Sequence, residues 1–252
     1  MTPPKLNIPI VMLHHVADHP HPSLKKWCIS HLKFLELLDN IELKGLVTTT
    51  FQEIIELKPS KKELKKRVII SFDDCPASLF DFAIPELLKR KMKAVFYIPT
   101  NQIGGVNEWD IEEYDMSRVE LMNTSQLREL VLLGMEIGSH GEKHIKLDAV
   151  SELEVIQDIS DSKETLELLL ESPVYSFAYP YGKIPANYGK LLTSAGYTFG
   201  LSIYSPMETN FALRRFAINQ GDDAKKIRLK LGKKYRLMRL FYDPLFFLLR
   251  KL

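Results

Sequence analysis

Two adjacent carboxylates, Asp73 and Asp74, close an apolar run at residues 68–72, and two imidazoles, His140 and His144, follow another at 135–139. One Asp and two His are enough protein ligands for a divalent cation, with water in the remaining positions, as in a catalytic zinc-type site. Such an ion lowers the pKa of bound water toward about 7 and polarises a carbonyl oxygen. A spare Asp would stand beside it. Neighbouring strand side chains point in different directions, so one carboxylate can bind metal while the other takes a proton from the attacking water. Two more polar motifs end apolar runs: His14-His15 after residues 8–13, and Tyr179-Pro180-Tyr181-Gly182 after 174–178. Each alone has a plain structural reading, as a solvated turn, a helix cap or a surface imidazole. Four at four strand ends are a much rarer coincidence.

The elements that must position these residues alternate. Short β-branched runs at 8–13, 46–49, 68–72, 94–98, 135–138, 174–178 and 197–201 are expected strands. Between them, 30–43, 51–57, 80–90, 124–133, 150–170 and 185–195 have helical patterns. Asn123-Thr124-Ser125-Gln126 offers capping chemistry, and Lys44-Gly45 and Ala195-Gly196 read as helix stops. Repeated strand–helix units argue for a parallel sheet, and about seven of them for a closed barrel rather than an open one. In a parallel barrel the site sits at the C-terminal strand ends, where all four motifs fall. Residues 100–122 read as a long loop.

SFDDC, GSHGEKH and SFAYPYG, in this order and spacing, resemble the polysaccharide deacetylases of carbohydrate esterase family 4, and PIVMLHHV resembles the opening of many one-domain members. The resemblance covers about residues 8–216. It implies an α/β fold, a distorted (β/α)7 barrel, and metal-dependent removal of an acetyl group from an amino sugar. By resemblance Asp73 is the general base. Asp74, His140 and His144 hold one divalent ion, zinc foremost, and the backbone N–H of Tyr181 stabilises the oxyanion.

Three departures stand out. Cys75 replaces the usual Gly. Ala178 replaces the Arg that orients the base, for which Arg215, with Arg214 second, is the candidate substitute. No His follows His144, although the family often takes its general acid from a C-terminal Leu-x-His. Met12-Leu13-His14 has that spacing at the end of the first strand, which in a closed barrel neighbours the last. The chain thus reads as circularly permuted, with His14 as the acid and His15 pointing away.

A chain of 252 residues, 45% hydrophobic and with net charge +2, is an ordinary globular chain and no nucleic-acid binder. The charge is uneven. Residues 225–252 carry ten Lys and Arg against one acid, leaving the remainder acidic by about seven charges. We therefore divide the chain into a barrel domain, 1–222, and a basic amphipathic tail, 223–252. The tail suits an anionic membrane surface or, equally, a helix packed on the barrel. The N-terminus is a poor signal peptide and the two cysteines suggest no disulfide framework, so a cytoplasmic protein, peripheral on the membrane, is expected. The expected partner is an N-acetylated sugar, lipid-linked if the tail meets a bilayer. The alternatives are a related amide or ester hydrolase on a non-sugar substrate, an iron oxygenase sharing the ligand set, or an inactive membrane-associated barrel.

Overall fold

The computed structural model describes residues 6–205 and 207–249. The first five residues of the expected barrel domain, Pro206 and the last three residues of the expected tail lie outside them. In chain order the elements begin with β1 (Ile10–Leu13), β2 (His15–Val16), β3 (Cys28–Ile29), α1 (His31–Leu43), β4 (Val47–Thr48), α2 (Phe51–Leu57) and α3 (Lys61–Leu64). Then come β5 (Arg67–Asp73), α4 (Ala83–Lys89), β6 (Val95–Ile98), α5 (Glu108–Tyr114), α6 (Thr124–Leu132), β7 (Glu136–Ser139) and α7 (Glu152–Leu170). The chain ends with β8 (Ser176–Ala178), α8 (Tyr188–Ser194), β9 (Phe199–Ser202), β10 (Leu213–Arg214), β11 (Phe216–Ala217), α9 (Ala224–Lys230) and α10 (Lys233–Leu249).

The strands pair in the order β10-β9-β8-β7-β6-β5-β1-β11, every pair parallel, with β4 added beside the start of β5. The two ends of that order are one stretch of chain. β10 pairs with β9 and β11 with β1, and only Arg215 separates them. Residues 213–217 therefore act as one broken stave that closes the barrel, and β10–β11 counts as the seventh. As expected from the resemblance, the architecture is a distorted barrel of seven staves, and β1 lies beside the last.

Strand alternation sorts the side chains. On β5, Val68, Ile70 and Phe72 join the cluster under the helices, whereas Ile69 joins the one inside the barrel. The inward parity continues through Ser71 to Asp73, both buried. Tyr97 fills the barrel interior with its hydroxyl 2.9 Å from Ser176 Oγ. Gly138 makes room for it, since a Cβ there would lie 2.2 Å from the Tyr97 ring. Phe51 and Ile54 of α2 close the lower end of this cluster with Leu6 and Ile8.

Caps set several helix starts. Asn123 accepts from Gln126 N and Gln126 answers to the Asn123 N–H, the box its sequence suggests. Ser151 with Glu154, and Thr50 with Glu53, do the same for α7 and α2. The stretch expected as a loop at 100–122 instead contains a 3-10 turn and α5, tied back by bridges Pro76–Leu121 and Val106–Glu120. Among the described residues, no helix is long and apolar enough to cross a membrane. Residues 224–249 form two helices lying on the barrel. α9 inserts Ile227, which is fully buried in the main core beside Leu231.

Candidate active site

Asp73 is the last residue of β5 and points to the barrel axis, where it is 2% exposed. Its carboxylate accepts two hydrogen bonds from Arg215, at 2.5 and 2.7 Å, a fork-on-fork pair. Arg215 sits at the break in the closing stave and is 1% exposed, stacked 5.6 Å over the Tyr97 ring. Alternation explains which of the two arginines turns inward. Leu213 is inside, so Arg214 is outside and pairs with Asp243 at 3.1 Å. Ala178 occupies the barrel interior without a charge, and Arg215 stands against Asp73.

Asp74 leaves the strand with φ +64 and turns its carboxylate toward two imidazoles. Its Oδ1 lies 3.5 Å from His140 Nε2 and 3.3 Å from His144 Nε2. Ligand atoms of the three residues all fall within 4.8 Å of one another. Donors about 2.0–2.1 Å from a tetrahedral ion stand about 3.3–3.4 Å apart, so the Asp74 distances fit such an ion. The donor chemistry fits as well. His140 Nδ1 lies 2.7 Å from the Ala178 carbonyl, which fixes a proton there and leaves Nε2 as a lone pair facing Asp74. Asp74 Oδ1 is buried and makes no hydrogen bond, as expected of an atom built for a cation.

Electrostatics separates the two acids from the imidazole. Burial opposes charge on Asp73, but Arg215 and then His140 outweigh it and hold its carboxyl below the ordinary range. Burial also opposes charge on Asp74, and His144, His14 and His140 hold it well below that range. Burial lowers His140 to about 4, so its imidazole is neutral at pH 7. Burial, then Asp74 and Asp73, push the Cys75 thiol far up, so it is a neutral SH beside the site.

A cavity of about 500 Å³ opens above these groups. His14 lines it, 5.0 Å from the Trp27 ring. It keeps the inward parity of Ile10 and Met12. His15 was expected to point away, and here the structure differs. It lines the same cavity, because alternation ends with β1 at Leu13 and the chain turns into a separate pair with β3. Burial, and then His14, lower His15 to about 4. Tyr181 is held at φ +57, a left-handed backbone rare for a residue with a side chain, and its ring meets His144 at 4.7 Å.

Two contributors had no role assigned from the sequence, Trp109 because its segment reads as a long loop and Asp158 because it lies within a helix. Trp109, from α5, stacks on the His144 ring at 4.3 Å. Asp158, in the middle of α7, accepts from Lys143 N at 2.8 Å and braces the loop between the two histidines. Its carboxylate lies where a side chain on Gly141 would go, at 2.4 Å.

A family model described as polysaccharide deacetylase matches residues 60–200. The poly-β-1,6-N-acetyl-D-glucosamine N-deacetylase of Staphylococcus aureus (strain MRSA252) is 24% identical over 215 residues, 80% of this chain and 71% of its own length. The Streptococcus pyogenes deacetylase PplD, solved with acetate, superposes with TM-score 0.74 at 21% identity, over 92% of this chain and all of that one. IcaB from Ammonifex degensii gives 0.72 at 20% identity, over 89% and 96%. At these identities the two structures bear on the fold.

Proposed function

The chain belongs to the polysaccharide deacetylase family, and from that premise we propose that it hydrolyses the acetamide of an N-acetylated amino sugar, with Asp73, Asp74, His140, His144, His14, Tyr181 and Arg215 as its working residues. The observation that carries the reading is the Asp74–His140–His144 cluster standing next to a carboxylate already paired with an arginine, at the floor of one cavity.

Asp74, His140 and His144 would hold a divalent ion, zinc foremost, and the ion would supply Lewis acidity for acidifying water and polarising the acetyl carbonyl. Asp73 accepts the proton of the attacking water, and Arg215 keeps that carboxylate ionised and aimed. The Tyr181 N–H donates to the carbonyl oxygen as charge develops there. His14 gives a proton to the nitrogen as the C–N bond breaks. Water is consumed, and acetate and a free amino sugar leave. The carboxylate pinned from behind by a guanidinium lies at the cavity floor beside the Asp74–His140–His144 cluster, a placement that supports this role. The first step of β1 beside β11 supports the permuted reading, in which the acid comes from the first strand.

The substrate belongs, in this reading, to a sugar polymer or to a lipid-linked precursor handled on the cytoplasmic side. The two buried free cysteines suit a reducing compartment. The test uses the metal-loaded full chain and a β-1,6-linked N-acetylglucosamine oligomer, the substrate class named for the staphylococcal relative. Asp73→Asn should keep the metal and the fold while acetate release falls by about two to four orders of magnitude. Undiminished release by Asp73→Asn defeats the assignment of the base.

A further inference from the structure

Helix α10 is built inside out. Arg239 and Asp243 lie buried on its inner side, while Leu237, Met238, Leu240, Phe241, Tyr242 and Leu245 stand in the open, Phe241 at 81% exposure. The inner side is held by polar contacts. Arg239 donates to the Arg215 carbonyl at 2.5 Å and to the Ile203 carbonyl, and its Nε lies 2.9 Å from Asp243 Oδ1. Asp243 in turn meets Arg214. A helix on a water-facing surface normally shows the reverse arrangement. An outward apolar face of this kind marks an interaction surface.

Its position and its charge say what it meets. Ile203, which Arg239 grips, also lines the active cavity, and Phe246 packs 5.6 Å from Tyr204 next to it. The far end of α10 therefore reaches the rim of the cavity. At the near end, Lys61, Lys65, Lys233 and Arg236 surround a groove floored by Leu64 and Leu237, with Glu208 its one acid. Lys234, next to Lys233 at the start of the helix, is exposed as well. A second copy meeting this face would set its lysines against lysines or against an apolar stretch, because Asp243, the one acid within residues 233–246, is buried. An anionic lipid surface offers the opposite charge at headgroup level and an apolar layer just beneath.

We propose that α10 is a docking helix for an anionic lipid bilayer, its apolar side seated at the acyl boundary and its lysines among the headgroups, so that the mouth of the cavity is held at the membrane. Docking itself is independent of the reaction. The statement that a lipid-linked sugar is thereby presented to the site rests on the proposed deacetylase activity.

The test is co-sedimentation of the full chain with phosphatidylglycerol-rich vesicles and with pure phosphatidylcholine vesicles. Binding is expected on the first, weakened by salt and leaving a salt-resistant remainder. Phe241→Ser/Leu245→Ser should lower partitioning by about tenfold or more per side chain. Lys233→Gln/Lys234→Gln should lower it about fivefold per lysine and flatten the salt dependence. Circular dichroism and thermal melting of both variants confirm that these outward positions leave the fold intact. Asp73→Asn must bind as the parent does, which separates a failure of docking from a failure of the deacetylase reading. No binding of the full chain to phosphatidylglycerol vesicles at low salt overturns the proposal. So does a dimer in sedimentation equilibrium that Phe241→Ser/Leu245→Ser turns into a monomer.

Discussion

Replacing Arg215 by Met should disable Asp73 and leave a distinctive trace in stability. The two side chains are 1% and 2% exposed and meet at 2.5 and 2.7 Å. Removing one partner of such a pair strands the other charge, at a cost of about 3–5 kcal/mol. That is a large part of the roughly 5–15 kcal/mol that holds a domain together. With a urea slope of about 2–3 kcal/mol/M, the midpoint should fall by about 1–2.5 M. Burial is the largest influence on Asp73 and opposes its charge, so without Arg215 its folded pKa rises. The sign of the pH dependence then reverses. In the parent the folded pKa lies below the unfolded value of about 3.9, so this stabilisation is present above that pH and is lost as pH falls through the folded pKa. In Arg215→Met burial raises the folded pKa above it, so the contribution of Asp73 is fully present at low pH and is lost as pH rises through the new value. The acid limb of kcat/KM should move to higher pH for the same reason. Replacing both partners removes the stranded charge, so Asp73→Asn/Arg215→Met should regain much of the lost stability with no activity. Urea melts from pH 3 to 8, with pH–rate profiles, decide the matter. Additive losses in the double variant, or an unmoved acid limb, refute the pairing argument.

Three further outcomes follow from the geometry. The parent should purify with one divalent ion and His140→Ala/His144→Ala without it, because one carboxylate holds a cation poorly; elemental analysis reads this directly. His14→Ala should cut turnover by about two orders of magnitude or more at unchanged metal content, while His15→Ala, whose imidazole is held neutral by burial, should be milder; equal losses in acetate release sink the assignment of the acid. Burial lifts Glu136 to about 7 from an unfolded value near 4.3, so stability should decline as pH rises through that window; Glu136→Gln should flatten the decline and melt above the parent at pH 8.

The parts of this molecule legible in its sequence are those where local pattern and tertiary role agree. β5 reads as a strand because Val68, Ile70 and Phe72 must meet helices while Ile69 meets the barrel interior, and both demands favour apolar residues. The helices with capping boxes announce their starts. The seventh stave is different. Its two short pairings flank an inward arginine, and ALRRFAI has neither the length nor the alternation of a strand. Arg215 could be named only as one of a pair, and the parity set by Leu213 is what separates it from Arg214. α5 was hidden because its acidic run Glu108–Tyr114 has no apolar stripe, yet it delivers Trp109 onto His144. Asp158 lies on a helix whose own pattern accounts for every neighbour, so nothing marks it until the loop 140–144 is folded against it.

The candidate site itself breaks local rules in a consistent way. Asp74, Cys75, His144 and Tyr181 all have positive φ, at +64, +56, +54 and +57. Each is a conformation that glycine adopts freely and that costs a residue with a Cβ on the order of 1 kcal/mol or more. Family members with Gly after the two aspartates avoid one of these costs, whereas this chain keeps a fully buried thiol at that position. Asp74 and His144 cannot be glycine if their side chains are to serve the cavity, and Tyr181 sets its ring against His144. The left-handed turn after β5 swings Asp74 out of line with Asp73, so that one acid faces the histidines while the other faces Arg215. Two carboxylates adjacent in sequence thus acquire different partners and different electrostatic surroundings. The strain is confined to the strand ends, and the close-packed clusters inside the barrel and beneath the helices offset it. A sequence reader sees strand-end polarity. The separation of the two acids becomes visible only once the backbone shows where each one turns.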